Sequence, residues 1–347
     1  MAVKSPRRPT VKDVARCAGL SVASVSRALA SPDGVRPRTK ELVLEAVRKT
    51  GYRVNQTAAE LRTGRSRTLL VLVSEITNAF FAEFFKGIEE EARENGYVLL
   101  IGDLSEAEVN EHAFSDILLR NQAGGLILNT FVFLDDLLPK ESTATYSGPP
   151  VVSCNGHRRI AVPVVRIDDE LGGRLAAEHL IKLGHRRIAE VGGQLSVKAF
   201  ERRHRGFRRA LEAVGIAVAK DRWLEGRLST DFGLEAARKI ISQPRPPTAV
   251  FAHNDETAIG LLHGLARAGL QVPEDISVIG YDDMPYAAVF NPGLTTVRLP
   301  KRDWGRRACR KLISILEEDP SLEGQEIIEP MLVPRASTSI VSDPDRI

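Results

Sequence analysis

A chain of 347 residues with 43% hydrophobic content has room for two or three globular domains and a substantial core. The net charge of +3 hides a division: residues 1–66 hold 14 Lys/Arg against 5 Asp/Glu, a net of +9, and the rest holds 34 against 40, a net of −6, the pattern of a polyanion-binding head on an acidic body. Three dispersed cysteines (Cys17, Cys154, Cys309) without a CxxC pair argue against a disulfide framework or zinc site, each reading as a buried small hydrophobe, and no apolar run reaches the roughly 18 residues of a membrane span or forms a signal core, so a cytoplasmic location is expected.

In chain order, Thr10 is placed to cap a first helix, with Asp13 completing a capping-box-like pair. That helix runs through Val14, Ala15 and Ala18, and Gly19 stops it. Ser21 caps a second helix with Val25 and Leu29 inward. A third follows Pro37 through Leu42, Val43, Ala46 and Val47 to Gly51. Two short helices across a tight glycine turn make a helix-turn-helix. Residues 54–66, VNQTAAELRTGRS, hold a helix of about two turns that is marginal alone and reads as a linker able to order on binding.

From Thr68 strands alternate with helices. TLLVLVS is a continuous apolar strand, followed by a helix in FFAEFFKGIEEEARENG, the strand YVLLIGD, a helix near 109–122 and the strand GGLILNT. PVVSCN and VVRID are further strands. Then come helices at 170–184, 198–215, 232–243 and 256–269, with strands in RRIAEVGG, TAVFAHND and SVIGYDD. Unbroken apolar strands alternating with helices predict open parallel sheets covered on both faces. Some 280 residues of this pattern predict two lobes, with a ligand in the cleft at the carboxyl ends of the strands and a hinge that can close.

No GxxxxGK[ST], HExxH or GxSxG motif is present, and VGGQ and LGGR read as glycine turns. The acidic run Asp168–Glu170 reads as the cap of the next helix, with a carboxylate cluster as the alternative. A non-catalytic cytoplasmic sugar-binding protein remains an alternative, although the basic head does not fit it. A sugar-converting Rossmann-type enzyme lacks a nucleophile, a base in a defined motif and a dinucleotide fingerprint.

TVKDVARCAGLSVASVSRAL, AAELRTGRS, NAFFAEFFKGIEEEARENGY, RRHRGF, FAHNDETAIG and VPEDISVIGYDD, in that order, resemble the LacI/GalR family of bacterial transcriptional regulators from about Thr10 to Ser339. The resemblance implies a small all-α helix-turn-helix head over 1–53 and a hinge helix over 54–66. It also implies an α/β, two-lobed, periplasmic-binding-protein-like body. Its first lobe would comprise 67–168 with 298–330, and its second 169–297 with 331–342. The implied activity is repression from a palindromic double-stranded DNA operator by a homodimer, controlled by a small effector of the sugar or sugar-acid class, with no cofactor, metal, membrane or enzymatic role. No heptad tail follows Ser339, which favours dimers over tetramers. A protein co-regulator, as in some relatives, is the alternative form of control.

A recognition helix presents its first residues to base edges, and small apolar side chains pack on thymine methyl groups. Val22 and Ala23 are therefore either base readers, as the family implies, or helix core. Arg27 is set to reach guanine, and Ser24, Ser26 and Thr39 to bond phosphates, joined by Lys12, Arg36, Arg38 and Lys40. Thr10 and Ser21 at the caps, and Asn55 and Ala58 in the linker, belong to the same expected DNA surface. By the resemblance Leu61 wedges into the minor groove at a central CG step; the alternative is packing on the body. For the effector the family match assigns Arg203, Asn254 and Asp282 from the second lobe and Phe81 and Asn155 from the first, with Phe80 and Phe81 equally readable as core. Asp255 reads as the cap of the next helix. The chain departs from the family at Leu228, where an aromatic is common, at His253, and at Arg227, whose extra charge hints at a sugar acid or phosphosugar.

Overall fold

Thr10 opens the first helix against Asp13: its amide and its hydroxyl both donate to Asp13 Oδ2, at 2.8 and 2.7 Å. The computed structural model describes residues 9–30, 34–52, 66–105, 107–130, 148–155, 162–319 and 324–341. The chain divides into two units, Met1–Arg65 and Ser66–Ile347. In the first, α1 (Val11–Ala18), α2 (Val22–Ala30) and α3 (Pro37–Thr50) enclose a core of Val14, Ala15, Val25, Ala28, Val43 and Ala46. Gly19 and Gly51 end α1 and α3 with φ of 63° and 66°, a conformation an L side chain resists. In α3, Val43 and Ala46 are buried and Leu42 is 39% exposed. One burial assignment is corrected. Cys17, expected to be a buried small hydrophobe, is exposed.

The second unit is the α/β body, with two six-stranded sheets. Its elements in order are β1 (Thr68–Val73), α4 (Phe80–Glu94), β2 (Val98–Asp103), α5 (Ala107–Leu119), β3 (Gly125–Asn129), β4 (Val151–Ser153), β5 (Val164–Ile167), α6 (Asp169–Lys182), β6 (Ile188–Gly192), α7 (Lys198–Glu212), β7 (Trp223–Glu225), α8 (Thr230–Ile241), β8 (Ala249–Ala252), α9 (Asp255–Arg267) and β9 (Ser277–Asp282). Beyond Asp283, for which no element is predicted above, follow β10 (Thr295–Arg298), α10 (Lys301–Leu316), β11 (Gln325–Ile328) and β12 (Met331–Val333). These strands are short, and α10 is so rich in Lys and Arg that its apolar stripe of Trp304, Ala308, Leu312 and Ile313 is hard to see in the sequence.

The first sheet runs β11-β5-β4-β3-β1-β2 and the second β12-β10-β9-β8-β6-β7; every pairing is parallel except β10 with β12. The chain therefore passes between lobes three times, at β5–α6, β10–α10 and β11–β12. In the first lobe α4 lies along α10 beneath an acid–base ladder: Glu90 accepts from Arg302, and Glu91 from Arg306 and Arg310. In the second lobe α6 and α7 touch backbone to backbone. A Cβ on Gly173 would strike the Arg203 carbonyl, and one on Gly206 the Glu170 carbonyl. That close approach brings Asp169 to Arg203. No helix among the described residues is long and apolar enough to cross a membrane.

Candidate functional site

In the head, Ser21 Oγ accepts from the Ser24 amide at 3.1 Å and lies 2.9 Å from Ser24 Oγ, which fixes the start of α2. Val22 is 41% exposed, and Ala23 and Arg27 are exposed, whereas Val25 is fully buried. The inward stripe of α2 thus begins at Val25, and Val22 and Ala23 face outward. Ser24, Ser26 and Thr39 are half-buried. Asn55, Ala58 and Leu61 lie outside the described residues.

In the body, the carboxyl ends of both sheets open on one cavity of about 470 Å³ between the lobes. Phe80, Phe81, Asn155, Arg203, Leu228, Asn254 and Asp282 all line it. The phenylalanines serve both expected roles. Phe81 is 7% exposed and packs edge-on to Phe80 at 5.1 Å between centroids, yet both rings reach the cleft. Asn78 Oδ1 accepts from the Phe80 amide at 2.8 Å and so starts α4 at the cleft wall. Asn155 Nδ2 donates to Asn129 Oδ1 at 3.1 Å and to the Thr130 carbonyl at 3.3 Å.

Arg203 is the organising charge of the second lobe. It is 5% exposed, pairs with Asp169 Oδ1 at 2.8 Å, donates to the His253 carbonyl, and lies over the Tyr281 ring at 3.4 Å from its centroid. Tyr281 Oη donates to the same Asp169 oxygen at 3.0 Å. Asp169 is thus no cap, as was expected of the whole Asp168–Glu170 run. Asp168 alone caps α6, accepting from the Leu171 amide at 3.1 Å. A second correction concerns α9. Asn254, extended at φ −154°, is its cap and accepts from the Thr257 amide at 2.9 Å. Asp255 instead accepts from the Met284 amide at 2.7 Å and the Thr296 hydroxyl at 2.6 Å.

Behind the cleft, His253 is fully buried with Nε2 2.9 Å from Glu190 Oε1, and burial holds the imidazole below its ordinary value. Burial pushes the Glu190 carboxyl up, but hydrogen bonds from His204 and His253 outweigh it and leave the group below its ordinary value. At the mouth, Arg227 is 86% exposed and 3.4 Å from Glu75 of the opposite lobe. Sequence reasoning missed Asn129, Asp169, Phe200 and Trp304 as cleft residues. Asn129 was findable, since it ends an apolar strand and strand ends carry ligand sites. Trp304 was not, because α10 itself went unseen.

Burial raises Asp282 to about 8, with Arg203 opposing. The folded body therefore keeps a proton that the unfolded chain releases above the ordinary value of 3.8. Linkage then makes this group's contribution fall as pH rises between those two values. Asp282→Asn should flatten the decline, so that the melting temperature of the variant relative to wild type rises from pH 5 to pH 8. A constant difference across that range would refute the buried, protonated state.

The comparisons with known proteins agree with this geometry. Residues 10–55 match the model for bacterial regulatory proteins of the lacI family, and residues 177–338 match the periplasmic binding protein-like domain. The HTH-type transcriptional repressor CytR of Escherichia coli (strain K12) is 34% identical over 97% of this chain and 98% of its own. The structure of the lac repressor dimer bound to operator and the anti-inducer ONPF aligns with a TM-score of 0.83 at 27% identity, over 96% of this chain and all of that one. A complex of the transcriptional regulator CelR with cellobiose aligns with a TM-score of 0.70 at 31% identity, over 95% of this chain and all of that one. With its helix-turn-helix head and two-lobed effector-binding body, the chain belongs to the lacI family of bacterial regulatory proteins and is a DNA-binding regulator of transcription.

Proposed function

We propose that this chain is a cytoplasmic repressor that binds a palindromic operator as a homodimer and answers to a neutral, hydroxyl-rich effector of the sugar class held in the cleft. The observation that carries the effector reading is a pair of buried donors. Asn129 Nδ2 in the first lobe and Arg203 Nε in the second both lack a hydrogen-bond partner on residues that line the cavity. An unmet buried donor costs about 1–3 kcal/mol, and a ligand oxygen on each side relieves it. Charge favours a neutral ligand over the sugar acid or phosphosugar hinted at by Arg227. Asp169 already neutralises Arg203, Asp282 is largely protonated near neutrality, and Arg227 sits at the mouth beside Glu75. Phe80, Phe200 and Trp304 offer apolar faces to the C–H side of a ring, which offsets the aromatic missing at Leu228.

On DNA, the outward Val22 and Ala23 read thymine methyl groups and Arg27 a guanine, with Thr10, Ser21, Ser24, Ser26 and Thr39 on the backbone. By family likeness Asn55 and Ala58 enter the minor groove, and Leu61 wedges at a central CG step. Exposed apolar residues support the dimer: Val98, Leu100 and Ile101 on the edge strand β2, and Val289 and Phe290 in the second lobe.

A thermal-shift screen of neutral sugars, sugar acids, phosphosugars and purines, with cellobiose included, tests the effector reading on wild type and Asp282→Ala. A neutral sugar at about 100 times its Kd should stabilise wild type by roughly 2.7 kcal/mol and lose that effect in the variant. Response to sugar acids alone would overturn the neutral ligand, and a shift equal in both proteins would move the ligand out of the cleft.

A further inference from the structure

The turn after β9 is held in an unusual shape. Asp282 and Asp283 both have positive φ, 106° and 49°, which non-glycine residues adopt only when their surroundings enforce it. Most of the enforcement comes from the second lobe. Asp255 accepts from the Met284 amide, and the Thr296 hydroxyl accepts from the Asp283 amide at 3.4 Å. Arg298 and Arg335 hold the two oxygens of the Asp283 carboxylate at 2.5 and 2.6 Å.

One grip comes from the other lobe. Lys301 is the first residue of α10, which packs along α4 in the first lobe, and only Leu299 and Pro300 separate it from β10. Its side chain is withdrawn from solvent, the residue being 6% exposed. The ammonium donates to the Asp282 carbonyl and, at 3.3 Å, to the Asp283 carbonyl. It also lies 5.8 Å from the ring centroid of Phe80, on the opposite wall of the cleft. A buried ammonium is costly unless its donors are met, and carbonyls in the left-handed turn meet two of them.

We propose that Lys301 is a positioning residue for the effector site: from the first lobe, across the hinge, its ammonium clamps the two carbonyls of the Asp282–Asp283 turn and so aims the Asp282 carboxyl into the cleft. The inference rests on the reading that Asp282 meets the ligand. It adds that the aim of Asp282 depends on where the first lobe stands, so that lobe movement and ligand grip are one event.

The ammonium also acts on the charge of Asp282. The groups facing that carboxyl are Arg203 from α7, Asp255 from α9, Lys301 from α10, Asp169 from α6, and Tyr281 and Tyr286 from its own strand and the turn beyond it. Arg203 and Lys301 favour the carboxylate, and the two aspartates oppose it. Removing the Lys301 charge must move the titration of Asp282 upward.

The test uses the full chain as wild type, Lys301→Met and Lys301→Arg. The carboxyl 13C shift of Asp282, assigned with Asp282→Asn, is followed from pH 5 to pH 10, and cellobiose and ribose binding is measured by calorimetry between pH 6.5 and 9. In Lys301→Met the Asp282 midpoint should rise by about one unit, and Lys301→Arg should restore it. A sugar that prefers the carboxylate should bind Lys301→Met about eightfold more weakly at pH 7.5 and within about twofold of wild type at pH 9. An unchanged Asp282 midpoint in Lys301→Met overturns the clamp. So does an equal loss of affinity at every pH in both variants, the mark of a merely damaged fold. A shifted midpoint with neither sugar bound upholds the clamp and counts against the sugar reading.

Discussion

Arg203→Leu is expected to destabilise the body by about 3–5 kcal/mol, the cost of leaving one member of a buried ion pair alone. Asp169 and Arg203 expose 8% and 6% of their side chains, so solvent cannot replace the lost partner. The variant leaves the Asp169 carboxylate with Tyr281 Oη and strips the His253 carbonyl of its donor. It also removes a donor from the cleft, and effector affinity should fall about 10- to 100-fold, the range of a charge-assisted hydrogen bond. The double variant Arg203→Leu/Asp169→Asn separates the two effects. With the orphaned charge gone, most of the stability should return in urea unfolding, and the binding should not. Recovery of both would make the pair structural and take Arg203 out of the effector site. No change in stability for the single variant would mean that water reaches Asp169.

Removing residues 1–65 should reduce operator affinity by at least about a thousandfold, to the level of any acidic protein on DNA, and leave effector binding unchanged. The cut is set by the structure. Ser66 is 6% exposed, and its hydroxyl donates to the Gln122 carbonyl at 2.9 Å, so it belongs to the body and should be kept. The physical reason for the loss is charge: the head carries the net positive charge, and counterion release from phosphates dominates DNA affinity. For the intact chain the logarithm of operator affinity should fall steeply and linearly with the logarithm of salt concentration. Gel-shift titrations at 50 and 200 mM salt, on operator and on scrambled DNA, measure both. A truncated chain that still preferred operator would overturn the assignment of the head.

Much of this architecture was legible in one sequence, for identifiable reasons. Thr10 with Asp13, Gly19, Ser21 and Gly51 mark helix ends because capping is a local matter of a few backbone groups. The apolar runs of β1, β3, β6, β8 and β9 read as buried parallel strands because every residue in them except Thr68 is buried. The five residues matched to the effector site, and Phe80 and Leu228 beside them, line one cavity, since the carboxyl ends of parallel strands converge there.

What the sequence by itself determined is therefore what depends on near neighbours: the helix-turn-helix head, the β–α alternation that requires two covered sheets, and the strand ends that make a cleft. Only the tertiary structure decided which charges meet. Asp169 reaches Arg203 because two glycines let α6 and α7 touch backbone to backbone, and Asn254 takes the cap that frees Asp255 for the turn at Met284. Trp304 comes to the cleft, and Lys301 to the Asp282–Asp283 turn, on a helix whose charged surface hides its buried stripe. Local propensity acts over a few residues; pairs such as Asp169 with Arg203, or Lys301 with Asp282, are set by how helices cross and where the chain changes lobes, and no short-range pattern encodes that.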